Sequence, residues 1–195
     1  MTEAVSETVS EAAADPWLLL AAWLPGNAEP DRPQVTLSTV SPSDRADART
    51  VLLTEWDELG FYFHTDSRSR KATDIARNSA VALTFLWPSF TRQLTVQGDA
   101  SIAPRAELDA AYAARSPYLQ QLAWQNSAEF AVLPHETRRA EWGSFELPHG
   151  PPASWTGYLV RPLRMTFWSS DPEAASRREE FTLEGGIWHR GYLPG

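Results

Sequence analysis

Cysteine is absent from the 195 residues, which excludes disulfides and thiolate metal sites and leaves the redox compartment open. Lysine is almost absent too: of 17 Lys and Arg residues only Lys71 is a lysine. Such reliance on arginine is first a matter of composition and only second a functional signal. No apolar run approaches the ~18 residues of a membrane helix, and no basic n-region precedes an apolar h-region, so no membrane partner and a cytoplasmic location are expected. A net charge of −8 and a pI near 5.0 argue against a general nucleic-acid or membrane-surface role, which needs a basic face. Four histidines (His64, His135, His149, His189) are scattered without H-x₃-H or HExxH spacing, so no metal site is expected. GxGxxG, GxxxxGK[ST] and G-x-S-x-G are missing, and with them the signatures of dinucleotide binding, P-loops and hydrolase elbows.

What is present is mostly β-patterned. Residues 1–14, MTEAVSETVSEAAA, read as a disordered tail before a single domain spanning 15–195. Asp15-Pro16 looks like an N-cap and first helical position opening WLLLAAWL, a helix apolar nearly all round that should lie against the body. From Gln34 the period becomes two: QVTLSTV, ARTVLLTE, LGFYFHT, AVALTFLW and RQLTVQGDASI are strand candidates separated by turn chemistry. Helical pieces are expected at SRKATDIARN, from Pro104 to Arg115, at YLQQLAW and at PHETRRAEWGSF. YLVRPLRMTFW, EEFTLEG and GIWHRGYL close the chain as strands. Consecutive β-runs with helices inserted late point to a mainly β, α+β fold: an antiparallel sheet closed into a barrel with peripheral helices. Nine tryptophans suit either ring-stacking surfaces or a rich core.

Cations concentrate where the third strand gives way to a helix, at SRSRK, with Arg68, Arg70 and Lys71 inside four positions. A helix N-terminus already favours an anion through its free N–H groups and dipole. Arg49, at the start of a strand, adds a further charge. One reading is a site for a terminal phosphate monoester, since no glycine-rich loop could wrap a diphosphate. The other is a solvated helix start offset by Asp66 and Asp74. Local sequence leaves both open.

The blocks RTVLL from Arg49, HTDSRSRK from His64 to Lys71, FLWPSFTRQLTVQG through Gln93, and GY from Gly157 followed by FW at Trp168 resemble the pyridoxamine 5′-phosphate oxidase family. The resemblance runs from about residue 15 to the C-terminus. It implies a split β-barrel, a homodimer using residues of about 155–195 for dimerisation, and FMN held between subunits. By position, Arg49, Arg70 and Lys71 would grip the FMN phosphate. Thr50, Val51, Leu52 and nearby backbone would line the flavin ring, with His64 and Thr65 alongside. Gln93 would hydrogen-bond the ring edge, and Trp168 and Arg178 would come from the other subunit. Arg68 is left as a bystander.

The same resemblance locates a departure. The family carries a lysine after VLL, where this chain has Thr54. A tyrosine, an arginine and a serine around Ser-Arg-Pro are here Ala111, Arg115 and Leu119. Arg-Leu-His-Asp-Arg near the C-terminus becomes EAASRREEF, with Ala174 and Ser176 in the substrate positions and Arg178 kept. Losing several cations from a phosphate site should weaken phosphate binding by a few powers of ten. The resulting expectation is an FMN-dependent oxidase of a small, ring-containing, non-phosphorylated molecule with O₂ as acceptor. Arg115 and His64 are the candidates for substrate positioning, and no acid–base catalyst is evident. Two alternatives stand beside it: a genuine pyridoxine/pyridoxamine 5′-phosphate oxidase, and a non-catalytic flavin-binding protein.

Overall fold

The computed structural model describes residues 15–195; the expected tail at 1–14 lies outside the described residues. Eight antiparallel strands follow the expected runs: β1 (Gln34–Val40), β2 (Ala46–Asp57), β3 (Gly60–Asp66), β4 (Ala80–Leu86), β5 (Arg92–Ile102), β6 (Trp155–Ser169), β7 (Arg177–Glu184) and β8 (Ile187–Pro194). Their order is β3-β2-β1-β4-β5-β6-β7-β8, and a further pairing of β3 with β6 closes the first six into a barrel. β7 and β8 continue the sheet beyond the closure.

Period-two alternation decides which side chains fill that barrel. Val35 and Leu37, Val51 and Leu53, Phe61 and Phe63, Leu83 and Phe85, Leu94 and Val96, Met165 and Phe167 are all buried. The intervening Thr36, Thr50, Thr84, Thr95 and Thr166 are aligned across neighbouring strands on the outer face. β6 bulges at Leu163, opposite Gln97 and Gly98 of β5, where a Cβ on Gly98 would collide with the Arg161 carbonyl. That close approach lets β5 and the long β6 bend together around the barrel.

Helices occupy the ends and one flank. α1 (Pro16–Trp23) begins as expected, the Asp15 carboxylate accepting from the Trp17 N–H. It lies on the body along one side only: Leu20 is fully buried, whereas Leu18 stays 74% exposed. A helix apolar nearly all round is thus wrapped on one face and wet on the other. α2 (Arg70–Arg77) sets Ala72, Asp74 and Ile75 inward against the barrel. α3 (Arg105–Ala113) and α4 (Pro117–Gln125) cross the outside near β3 and β6, followed by the short α5 (Ala128–Ala131) and by α6 (His135–Gly143). The turn α5 was not expected from sequence; Ser127 caps it by accepting from the Phe130 N–H. No helix among the described residues is long and apolar enough to cross a membrane.

Candidate functional site

Two adjoining features are built on β2 and β3. The first is the cation cluster. The Arg49 guanidinium donates to Thr39 Oγ1 on β1 (2.8 Å) and pairs with Asp47 on its own strand (2.8 Å) and with Asp74 on α2 (3.4 Å). Asp74 is buried and also accepts from the Thr39 hydroxyl at 2.7 Å. Lys71 Nζ donates to Thr65 Oγ1 at 3.0 Å. Burial, and next the charge of Arg49, pull the Lys71 ammonium below its ordinary range. Arg70 has no ion-pair partner among the described residues and lines an open crevice of ≈ 440 Å³ with Ser43, Arg45, Asp47 and Thr73. Arg68 instead forms a bidentate pair with Asp66, its side chain 64% exposed.

The offset of this cluster by acid is therefore selective. Asp66 is taken by Arg68 and Asp74 by Arg49, so neither carboxylate is spent on Arg70 or Lys71. At the same helix start Ser69 Oγ is buried with no hydrogen-bond partner among the described residues. The Ala72 and Thr73 N–H groups donate to the Ser69 carbonyl, which leaves the Arg70 and Lys71 N–H groups without an acceptor among the described residues. Two cations, an orphaned hydroxyl and free N–H donors together fit one phosphate monoester.

The second feature is a cavity of ≈ 690 Å³ walled by the outer side of β2 and β3, by α3 and α4, and by the loop 27–32. Thr54, Ala111, Arg115 and Leu119, widely spaced in sequence, all line it, together with Leu52, His64 and Trp155. Trp155 is the hub. Its indole N–H donates to the Leu108 carbonyl (2.9 Å), and the His64 ring stacks on it at 5.2 Å and 10°. The Arg115 guanidinium carbon lies 4.7 Å from its ring centroid. That cation–π contact contributes up to about 2 kcal/mol when desolvated. Burial lowers the Arg115 pKa from its ordinary value, and Nε has no acceptor. The other arginine at the rim, Arg32, is spent on the loop itself, donating to the Gly26 carbonyl and to Asn27 Oδ1.

His64 is held in place from three sides. Nδ1 lies 2.9 Å from Thr54 Oγ1, the ring rests on Trp155, and Nε2 is buried against Gly157. A Cβ on Gly157 would come within 2.6 Å of Nε2 and of Cδ2, so only glycine leaves room for the ring. Burial, aided by the nearby Arg115 charge, drops the His64 pKa to about 4 from 6.5. The folded chain then binds fewer protons than the unfolded chain between those values. Stability contributed by the neutral ring is complete above 6.5 and is lost as pH falls towards 4. Urea unfolding at pH 6.5 and 4 should show a loss of up to about 3 kcal/mol from this ring. His64→Asn should remove that part of the slope; an unchanged slope would reject it.

The expected cofactor residues fall into two groups within one chain. Arg49, Thr50, Val51, Leu52, His64, Thr65, Arg70 and Lys71 share β2, β3 and the start of α2. Gln93, Trp168 and Arg178 form a cross-strand row on β5, β6 and β7. Counting strands from Leu52 through β1 and β4, Gln93 is about 14 Å away at one strand spacing per step. Trp168 Nε1 donates to Ser176 Oγ at 2.9 Å. Val51 faces the barrel interior and is buried, so only its backbone could meet a ligand. Trp155, Ser69 and the loop 27–32 were not anticipated; an isolated Trp after a Pro/Gly-rich loop carries no local signal of its role.

A model of the pyridoxamine 5′-phosphate oxidase family matches residues 27–140, more than half the chain. The chain belongs to the pyridoxamine 5′-phosphate oxidase family. It is 36% identical over 183 residues to the pyridoxine/pyridoxamine 5′-phosphate oxidase of Caulobacter vibrioides, covering 89% of this chain and 82% of that one. The corresponding oxidase of Gluconobacter oxydans is 33% identical over 187 residues, covering 90% and 92%. Among solved structures, PhzG from Burkholderia lata, in complex with tetrahydrophenazine-1-carboxylic acid, superposes with a TM-score of 0.79 at 22% identity over 95% of both chains. A pyridoxamine 5′-phosphate oxidase-related, FMN-binding protein from Nostoc punctiforme gives 0.67 at 17% identity over 83% and 88%. Both structures share the split-barrel fold. Membership in the pyridoxamine 5′-phosphate oxidase family places the chain, at the level of the family, among flavin-related oxidoreductases.

Proposed function

We propose that this protein is an FMN-dependent oxidase of a small, ring-containing organic molecule that carries no phosphate. The observation that carries this reading is the cavity lining: of the family's substrate positions only Arg115 keeps a cation, Thr54, Ala111 and Leu119 being neutral, while Arg32 at the rim is directed to Gly26 and Asn27. A phosphate dianion in such a site would forgo two or more charge-assisted hydrogen bonds of roughly 1.5–3 kcal/mol each.

The cluster of Arg70, Lys71 and Ser69 would hold the FMN phosphate, with Arg49 behind it. Thr50, Leu52 and the Val51 backbone lead from there along β2 to the cavity, three residues or about 10 Å at strand rise. When bound, FMN would supply two-electron redox chemistry, with O₂ as the electron acceptor. The chain's own part is to place that carbon, through the Arg115–Trp155 wall, and to keep His64 neutral beside it. By strand count Gln93 lies about 14 Å from Leu52, and Trp168 and Arg178 follow on the next two strands. This supports a homodimer in which that row meets the flavin from a second copy.

The family relatives named above favour a second reading, a genuine pyridoxine/pyridoxamine 5′-phosphate oxidase. An assay separates the two. The purified protein should take up FMN, yet oxidise pyridoxine 5′-phosphate with kcat/KM at least about 100-fold below the Caulobacter relative assayed alongside. H₂O₂ formation at the relative's rate would overturn the phosphate-free substrate. A colourless protein that takes up no FMN would overturn both readings.

A further inference from the structure

We propose that Thr54, poised by His64, is a hydrogen-bond donor to the ligand of this cavity, and that the ligand ring carries a neutral acceptor atom to receive it, a carbonyl oxygen or a ring nitrogen. This deepens the proposed function and rests on the same cavity being the substrate site.

The inference starts from an irregularity in the strand ladder. Between β2 and β3 the register runs from Leu53 opposite Phe63 to Glu55 opposite Tyr62, so Thr54 is an extra residue with no cross-strand partner. A bulge of this kind re-aims a side chain. Here it sets the Thr54 hydroxyl on the cavity wall, 2.9 Å from His64 Nδ1.

Which of those two atoms donates follows from the far side of the ring. His64 Nε2 is buried against Gly157 with no hydrogen-bond partner among the described residues. A neutral imidazole carries one N–H. Placed on Nε2, that hydrogen would be a buried donor without an acceptor, which is the rarer fault in folded chains; a bare nitrogen there leaves only a lone pair unmet. The proton therefore belongs on Nδ1, which donates to Thr54 Oγ1. Stacking on Trp155 and contact with Gly157 hold the ring in this orientation. A hydroxyl that accepts from the ring keeps its own hydrogen to give. Apart from His64, Thr54 Oγ1 has no hydrogen-bond partner among the described residues, so the hydrogen is directed at whatever fills the cavity.

The surroundings say what should receive it. Asn27 is committed to the Trp56 backbone, and the Ser116 hydroxyl accepts from the Leu119 N–H. Leu52, Ala111 and Leu119 are apolar. A donor set among apolar side chains rewards a matched acceptor and penalises a ligand that lacks one. Where the family carries a lysine, this donor is neutral, which suits a neutral acceptor.

Quinoline, isoquinoline and naphthalene test the idea, because they share one ring shape with the acceptor nitrogen in two positions or absent. Each is titrated by ligand-observed NMR into the purified protein, whose flavin content is measured first, at neutral pH, where both bases are uncharged. Thr54→Val is expected to weaken the tighter-binding base by roughly 5–50-fold. Naphthalene should stay within a few-fold, which shows that the cavity is still formed. Thr54→Ser should restore the base. His64→Phe keeps a ring on Trp155 without the N–H and should lower the base-to-naphthalene affinity ratio several-fold. The same variant assigns the His64 signals in proton–nitrogen spectra of the histidine rings, where Nδ1 should carry the proton and Nε2 should be bare. The reverse tautomer, an unchanged ratio in Thr54→Val or in His64→Phe, or no binding of any probe up to its solubility would each overturn the proposal. So would a Thr54→Val protein that loses FMN affinity in place of base affinity, since the hydroxyl would then serve the flavin. A parent protein that takes up no FMN would sink the FMN reading alone, because the tautomer and the ratio are read without it.

Discussion

Replacing Arg70 and Lys71 together by glutamine is expected to weaken FMN binding by roughly 10²–10⁴-fold while leaving the thermal transition of the chain close to that of the parent. Among the described residues the two side chains carry no structural ion pair: Lys71 bonds the Thr65 hydroxyl, and Arg70 faces the open crevice beside Asp47. Their cost is visible in Lys71, whose charged form is disfavoured first by burial and next by Arg49. A phosphate dianion would relieve that repulsion and complete the Ser69 hydroxyl and the Arg70 and Lys71 N–H groups of α2. Flavin fluorescence quenching against protein concentration reads the affinity, and unfolding monitored by tryptophan emission reads the fold. Full FMN affinity in the double variant would remove the phosphate from this helix. The single variants divide the effect, and Arg68→Gln, which breaks only a surface pair with Asp66, should leave affinity within a few-fold.

The strands were legible because alternation of Val, Leu and Phe with Thr and charged residues is a local signal. Each run from QVTLSTV to GIWHRGYL falls on an observed strand. Closure into a barrel was expected from the consecutive β-runs, but which strands close it was not legible: the β3–β6 pairing joins Phe61 to Val160 across about a hundred residues of intervening chain. The resemblance, not the alternation, supplied the split barrel. The same limit applies to the site. Arg70 and Lys71 announce themselves as a cluster because they are adjacent in sequence. Trp155 is unremarkable until folding brings His64, Tyr112 and Arg115 around it. Thr54, Ala111, Arg115 and Leu119 could be grouped in advance only through the family's pattern, and the fold now brings them to one cavity. Asp74 shows the opposite failure. Read locally it offsets Lys71 one turn away. In the folded chain it is buried against residues 25 and 35 positions earlier, Arg49 and Thr39.

That long-range pair leads to the second large effect, which concerns stability. Arg49→Ala should destabilise the chain by about 3–5 kcal/mol, because it strands a buried carboxylate. The Asp74 side chain is 4% exposed, and without Arg49 only the Thr39 hydroxyl remains to satisfy it. For a chain of this size the loss corresponds to a fall in Tm of roughly 6–20 °C. It is a large share of the ~5–15 kcal/mol that keeps a typical domain folded. A second substitution separates the stranded charge from lost packing. Arg49→Ala combined with Asp74→Asn removes the uncompensated carboxylate and should recover more than half of the loss, a coupling that a double-mutant cycle measures directly. If Arg49→Ala melts with the parent, or if Asp74→Asn adds its own cost in full, the buried pair is not what holds α2 to the barrel. If the cycle closes as expected, Arg49 contributes in two ways. It locks α2 against β2 through Asp74, and by doing so it fixes the helix start at which Arg70, Lys71 and Ser69 would receive the phosphate.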